Sequence, residues 1–440
     1  MKQNSRTTYQ EILHRIEQRT ARVVVAGMGY VGLALAVELA REGYRVTGLD
    51  VNAEKVDRIN RGDAELAVQS AGDVREEVRK KRLTATTDPK VLAKADCISI
   101  CVPTPLNKTK DPDVSFILDI THSIRDYLRP GQLIVLESTT YPGTTRELVL
   151  PHLLQNGLQV GKDFFLCYSP ERVDPGNPQY GVRNTPKVVG GITRRCAKVG
   201  EQFYRRIAEQ VVSVSSTETA EMTKLLENTF RIVNIGLVNE LAIMCDKLNI
   251  DVWEVIDTAA TKPFGYMKFQ PGPGLGGHCI PVDPHYLSWK LRSLNYKARF
   301  IELAGEVNSE MPEFVVRKIA DGLNDQKKSL NGSNILVLGL AYKADVDDIR
   351  ESPALDVFAM LQEKGAHVVY HDPHISCTTI RSKNYRSRPL TPKLVSSMDC
   401  VVVTTDHAAV DYDMVAQQAR LIVDSRNVYG DEDSDIIVRL

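Results

Sequence analysis

One thiol in this sequence stands apart from its neighbours. Cys279 lies in the stretch Pro271-Gly-Pro-Gly-Leu-Gly-Gly-His-Cys-Ile-Pro-Val-Asp283-Pro. Four glycines and two prolines precede it, which bring bare backbone close to something and fix the turn. Residues Tyr286 to Arg292 can form a helix, which would set Cys279 near a helix N-terminus, where thiolate is favoured over thiol. A nucleophile and a buried structural thiol both fit these residues. Cys97, Cys101 and Cys400 fall on apolar runs read as buried strands, and Cys245 on an apolar helix, so all four read as small core hydrophobes. His278, Cys279, Asp283 and His285 also invite a metal reading. Their spacing fits no common zinc site and the prolines stiffen the loop, so no metal is expected.

A second set sits upstream. Lys224, Asn228 and Arg231 are spaced i, i+4, i+7 and share one face of a helix. Helix charges are ordinarily a solvated stripe, but the apolar residues around Arg231 argue against that here. A buried lysine can serve in acid–base chemistry.

A third set is Gly27-Met-Gly-Tyr-Val-Gly32, which directly follows the apolar run Arg22–Ala26 and opens a helix, with Asp50 18 positions after Gly32. In that context the pattern reads as a dinucleotide fingerprint, against the alternative of a glycine-rich turn with no ligand. Gly27 permits the tight turn, Gly29 lets backbone approach a pyrophosphate, and Gly32 allows close helix–strand packing. The helix N-terminus offers unpaired N–H donors. Asp50 would accept from the adenosine ribose, and its charge disfavours the extra phosphate of NADP, so NAD is expected. A later apolar run, Asn334–Leu338, is followed by only one glycine, Gly339. It is not expected to hold a second dinucleotide in the same way. Lys343 and Arg350 beyond it can pair with phosphates or be solvated loop charges.

These groups need a scaffold. The 440 residues suggest about three domains. With 43% hydrophobic and 25% charged residues the composition is that of a globular protein, and a net charge of -1 excludes a bulk coat on nucleic acid. The 8 cysteines are too few for a disulfide scaffold. The first twenty residues lack the apolar core of a signal peptide, and no long uncharged apolar run occurs, so a cytoplasmic protein without a membrane span is expected.

Apolar runs at Ile98–Val102, Leu133–Leu136, Phe164–Cys167 and Val188–Val189 continue a parallel doubly wound sheet over about residues 21–214. Ser215 with Glu218 fits a capping box. The helix after it is so apolar from Thr229 to Cys245 that it reads as buried between domains or subunits. A second helical stretch is expected from Pro312 to Leu330. The third segment echoes the first in order, with Asp372 standing where Asp50 does. The expected architecture is α/β, with two Rossmann-like doubly wound domains joined by a central long-helix domain. Its parts are an extension at 1–20, where a short amphipathic helix fits, then 21–214, 215–330 and 331–440.

Taken together, the motifs GMGYVGLALA, VPTPL, ESTTYPGTT, YSPERVDPGN, AEMTKLLENTFRIVN, PGPGLGGHCIPVDP and GLAYKADVDDIRESPA resemble the UDP-glucose/GDP-mannose dehydrogenase family from Val23 to about Tyr429. The version around the thiol is similar to the branch that oxidises UDP-N-acetylhexosamines. The resemblance implies a four-electron oxidation of the C6 alcohol of UDP-N-acetylglucosamine to the uronic acid, with two NAD consumed, for surface polysaccharide biosynthesis. It implies that Cys279 carries a thiohemiacetal and then a thioester, and that Lys224 serves in acid–base chemistry or steadies an oxyanion. Asn228 and Asp283 would support a water and orient Lys224, Glu171 would act in thioester hydrolysis, and Thr139 would position a water.

For NAD the resemblance covers Gly27, Gly29, Tyr30, Val31, Gly32, Asp50, Lys55, Thr104, Thr139 and Arg350. For the substrate it covers Arg172, Val173, Lys224, Asn228, Arg231, Gly276, His278, Tyr342 and Lys343. Tyr342 and Lys55 depart from the residues frequent in the family, Phe and, in one branch, Arg. A homodimer or higher oligomer built on the long helix is implied, with a UDP-sugar and no nucleic acid or membrane as partner. The same chemistry on UDP-N-acetylmannosamine, UDP-N-acetylgalactosamine or UDP-glucose stays open. So do a two-electron NAD reductase without a covalent step and a non-catalytic sugar-nucleotide binder.

Overall fold

The structure is a computed structural model that describes residues 7–63, 71–107, 111–173, 177, 179–277, 280–430 and 434–440. Two compact units emerge, one of Met1–Glu227 with His285–Asn295, the other of Asn228–Pro284 with Tyr296–Leu440.

In the first unit the β-branched runs form eight strands: β1 Arg22–Ala26, β2 Arg45–Leu49, β3 Leu83–Thr86, β4 Cys97–Ile100, β5 Leu133–Leu136, β6 Phe165–Tyr168, β7 Lys187–Gly191 and β8 Val211–Val214. They lie in the order β3-β2-β1-β4-β5-β6-β7-β8. Strands β4, β5 and β6 are buried at every residue, as strands covered on both faces must be, and such strands read as continuous apolar runs. The sheet is not wholly parallel as expected. Strands β6 and β7 pair antiparallel. The described residues between them hold no helix, and a parallel return needs a crossover of that kind. A helix at Thr8–Glu17, capped by Thr7 and Gln10, buries Ile12 and Ile16 against this core. The Tyr44 hydroxyl donates to the Ile16 carbonyl (2.8 Å).

The long helix runs from Thr217 to Leu248, 32 residues and about 48 Å at 1.5 Å each. Its cap is Ser216, not the expected Ser215–Glu218 box: the Ser216 hydroxyl accepts from the Thr219 N–H (3.1 Å), and Glu218 pairs with Arg146 instead. Nor is the helix buried all round within the chain. Ala220, Leu225, Ile232, Val238 and Ala242 are buried, whereas Met222, Leu226, Phe230, Leu237, Met244 and Leu248 are exposed.

In the second unit the next long helix runs Arg299–Asp325 with Pro312 inside it, so Pro312 does not begin a helix as expected. Proline removes the N–H that would meet the carbonyl one turn back. One turn before it, the buried Asn308 side chain donates to the Ile232 carbonyl (3.2 Å) and accepts from Asn239 (2.8 Å). The second sheet comprises β9 Asn334–Leu338, β10 His367–His371, β13 Cys400–Val403, β14 Ile422–Asp424 and β15 Ile437–Arg439, with a ribbon of β11 Cys377–Ile380 and β12 Lys383–Arg386 inserted. Its order, β10-β9-β13-β14-β15, repeats β2-β1-β4-β5-β6 of the first sheet, and all its pairs are parallel. Among the described residues no helix is long and apolar enough to cross a membrane.

Candidate active site

The glycines of the fingerprint do what their spacing requires. Gly27 has φ +89°, and a Cβ there would lie 2.6 Å from the Cys101 carbonyl oxygen. A Cβ on Gly32 would lie 1.9 Å from the Gly27 carbonyl oxygen, so only glycine lets this helix press onto β1. Gly29 faces open space and caps the helix Tyr30–Arg41 with no side chain on its first-turn N–H groups. Tyr30 and Val31 begin that helix, half-buried. Open backbone at a helix N-terminus fits a pyrophosphate.

Asp50 follows β2 and is buried; it accepts from the Met28 N–H (2.8 Å), the Asn52 N–H (3.0 Å) and the Lys55 ammonium (2.8 Å). Burial pushes its carboxyl up, but Lys55 and these N–H groups outweigh burial and hold it below the usual range. Lys55 is thus placed by Asp50. Thr104 and Thr139 meet at the C-terminal ends of β4 and β5, where the Thr104 hydroxyl donates to the Thr139 carbonyl (2.8 Å). The Tyr286 hydroxyl donates to the Thr104 carbonyl.

Glu171 lies just beyond β6. One of its oxygens accepts from the Arg172 and Val173 N–H groups (2.7 and 2.8 Å), and the other faces the Lys187 ammonium (3.1 Å). The Arg172 guanidinium turns away to Glu227 and the Pro186 carbonyl, each 2.6 Å at closest, so its side chain is held by this unit. Lys224 is buried on the long helix. One turn before it, the fully buried Glu221 accepts from the Gly143 N–H (2.6 Å), the Thr145 N–H (2.9 Å) and the Thr145 hydroxyl (2.7 Å). Burial pushes its carboxyl up to about 7.

In the second unit Asn228 donates to Asp283, both buried. Arg231 is exposed, contrary to the expectation of an apolar shell: three residues past Asn228 it turns toward the open face that carries Phe230. The glycine loop leans on the segment after β9. Cβ atoms on Gly276 and Gly277 would lie 2.7 and 2.8 Å from Tyr342, and the Gly277 N–H donates to the Arg350 carbonyl (3.1 Å). The Arg350 guanidinium forks onto Asp348 (2.6 Å at closest), while Lys343 is half-buried beside Tyr342. His278 and Cys279 lie outside the described residues; the helix after them starts at Asp283.

Asp372 occupies the place of Asp50 in the second sheet, but its carboxylate is spent on the Leu340, Ala341, His374 and Ile375 N–H groups and on His407. A Cβ on Gly339 would lie 2.4 Å from Thr405. Asp345, His374 and His407 come close enough to share an ion. The buried His407 ring has no lone pair to give, since Nδ1 accepts from the Asp345 N–H (3.0 Å) and Nε2 donates to Asp372 (3.1 Å).

Comparison with known proteins fits this arrangement. The NAD binding, central and UDP binding domains of one family match residues 21–208, 218–310 and 336–431 in turn. The chain belongs to the UDP-glucose/GDP-mannose dehydrogenase family. It is 34% identical over 424 residues (92% of this chain, 93% of the relative) to a UDP-N-acetyl-D-mannosamine dehydrogenase of Methanococcus maripaludis. It is also 34% identical over 390 residues (88% and 90%) to a UDP-N-acetyl-D-glucosamine 6-dehydrogenase of Pseudomonas aeruginosa. The solved UDP-D-ManNAc dehydrogenase of Pyrococcus horikoshii superposes with a TM-score of 0.87 at 32% identity, covering 95% of this chain and 98% of that one.

This protein is therefore an NAD-dependent UDP-sugar dehydrogenase. Lys187, Glu137 and Glu221, which order this dehydrogenase's first unit, escaped the sequence reading because their partners are distant in the chain. Arg426 escaped it too; its guanidinium lies 2.8 Å from where a Gly272 Cβ would stand and donates to the Thr404 carbonyl (2.8 Å). The strand-end pattern Asp424-Ser-Arg, matching Glu137-Ser-Thr after β5, was the signal that could have found it.

Proposed function

We propose that this dehydrogenase oxidises the C6 alcohol of a UDP-N-acetylhexosamine to the carboxylate through a thioester on Cys279, with N-acetylglucosamine as the sugar. The observation that carries this reading brackets the thiol on both sides within one unit. Before it, the glycine loop rests on Tyr342 and the Arg350 backbone; after it, the buried Asp283 is bonded to Asn228. The described residues on either side of Cys279 in sequence, a shaped backbone cradle and a buried polar pair, support chemistry on a bound sugar at this segment.

NAD, when bound at Gly27–Gly32, Asp50, Thr104 and Thr139, would accept a hydride in each of two oxidations, two NAD per sugar. Cys279 adds to the aldehyde formed by the first and retains it for the second. Lys224 steadies the developing oxyanion or moves its proton, and Asn228 with Asp283 holds the supporting water. Glu171 and Thr139 serve hydrolysis of the thioester. Tyr342, Lys343, Arg231, Gly276 and Val173 would shape the sugar-nucleotide seat, with Arg426 a further cation for its phosphates. The exposed apolar face of the long helix supports a homodimer, since an apolar stripe of that extent calls for a partner. The expected product enters surface polysaccharide synthesis.

UDP-N-acetylmannosamine is the second reading, favoured by the names of the Methanococcus and Pyrococcus relatives. A panel of UDP-sugars tests both. UDP-N-acetylglucosamine is expected to give two NADH per acid formed. Turnover of the manno epimer alone would establish the second reading, turnover of UDP-glucose alone would overturn both, and one NADH per product would overturn the covalent route.

A further inference from the structure

We propose that Lys187 is a positioning residue for thioester hydrolysis: its ammonium, clamped between Glu137 and Glu171, holds the Glu171 carboxylate charged and fixed in one orientation. The inference rests on the reading above that Glu171 serves that step.

Lys187 begins β7 and is 3% exposed. Its ammonium is 2.8 Å from Glu137, which follows β5, and 3.1 Å from Glu171, which follows β6. One cation therefore serves two carboxylates, with their side chains 0% and 14% exposed. The remaining Glu137 oxygen accepts from the Tyr204 hydroxyl (2.7 Å), whose ring lies 5.1 Å from the ammonium. Among the described residues Cys101, beyond β4, also faces this cluster, and burial keeps it a thiol. Glu171 is thus held at both oxygens, by two backbone N–H groups and by Lys187, with its partial exposure leaving room for a water.

Burial alone would raise its carboxyl, but Lys187 and the N–H groups hold it below the usual range. So held, Glu171 is an acceptor at neutral pH and not a proton donor. Hydrolysis then proceeds with water oxygen bonding the acyl carbon and the carbon–sulfur bond breaking. One proton returns to sulfur, the other goes to solvent, and no electrons are exchanged.

Take away the cation and two buried carboxylates face each other unpaired; one must take up a proton. Lys187→Met is expected to raise the acid limb of the pH profile for acid formation by at least about one pH unit, since a lost buried ion pair commonly amounts to that much or more. The acyl-enzyme should accumulate below that limb, visible by mass spectrometry, while the burst of both NADH per site is retained. Lys187→Arg should restore the wild-type profile. Because Lys187→Met strains the core, Lys187→Met/Glu137→Gln removes one carboxylate with the cation and serves as the folded comparison; it should keep the raised limb. A folded double variant with a wild-type profile and no accumulated acyl-enzyme overturns the role of Lys187. Glu171→Gln separates the two layers. If it slows hydrolysis while the Lys187 variants do not, only Lys187 is misassigned; if it leaves acid formation unchanged, the role of Glu171 fails and that of Lys187 falls with it.

Discussion

Glu221 offers a test in which the direction of the effect, not only its size, is set by the structure. The side chain is fully buried and its carboxyl is pushed up to about 7. A carboxyl raised in the folded state favours folding at low pH, and this contribution is lost as pH rises through the folded value. From the ordinary 4.5 to about 7, the loss amounts to about 3 kcal/mol. Glu221→Gln removes that pH-dependent cost. It keeps one acceptor oxygen but sets an amide N–H₂ against a buried donor of the Gly143–Thr145 turn, at about 1–3 kcal/mol. The variant should therefore be less stable than wild type by about 1–3 kcal/mol below about pH 4.5, and should lose that deficit, or reverse it, by pH 8. Thermal unfolding of both proteins in a pH series reads this directly. Parallel curves, or a gap that widens toward pH 8, would refute the reasoning.

Other outcomes follow from the same geometry. Cys279→Ser should abolish acid formation while NAD binding, measured by fluorescence quenching, survives; normal turnover would sink the covalent route. Lys224→Ala should lower kcat by about 10²–10⁴ in a protein that elutes and melts normally, and an unchanged kcat would take Lys224 out of the chemistry. Gly27→Ala puts a Cβ 2.6 Å from a carbonyl at φ +89°, so it should cost more than about 2 kcal/mol and weaken NAD together with stability; denaturant titration checks the first and calorimetry the second.

What could be read from the sequence depended on whether its signal was local. Strands β1, β5 and β9 match their apolar runs because residues of a strand buried on both faces must be apolar; only the first residues of β1 and β9, Arg22 and Asn334, are exposed. The fingerprint was legible because three glycines and an acid at fixed spacing have one common reason to coincide. Pro312 misled because proline usually opens a helix, whereas here it stands buried in the middle of one. The Ser216 cap was missed by one residue, since adjacent serines compete and only backbone geometry chooses between them. The Lys187 clamp spans 50 residues to Glu137, and Glu221 reaches 78 residues back to Gly143; no short motif encodes such pairs. Arg231 was misjudged because an apolar neighbourhood in sequence became an exposed face in the chain.

The composition of the first unit has a consequence for biosynthesis. Residues His285–Asn295 belong to it, with the Trp289 ring tilted against Tyr141 at 5.0 Å, Lys290 paired to Glu147 (2.6 Å) and Tyr286 bonded to Thr104. A growing chain thus cannot finish its cofactor-binding half when residue 227 leaves the ribosome. The loop carrying Thr104 and the turn carrying Tyr141 gain these partners only once residues 286–290 have been made, after the thiol segment itself.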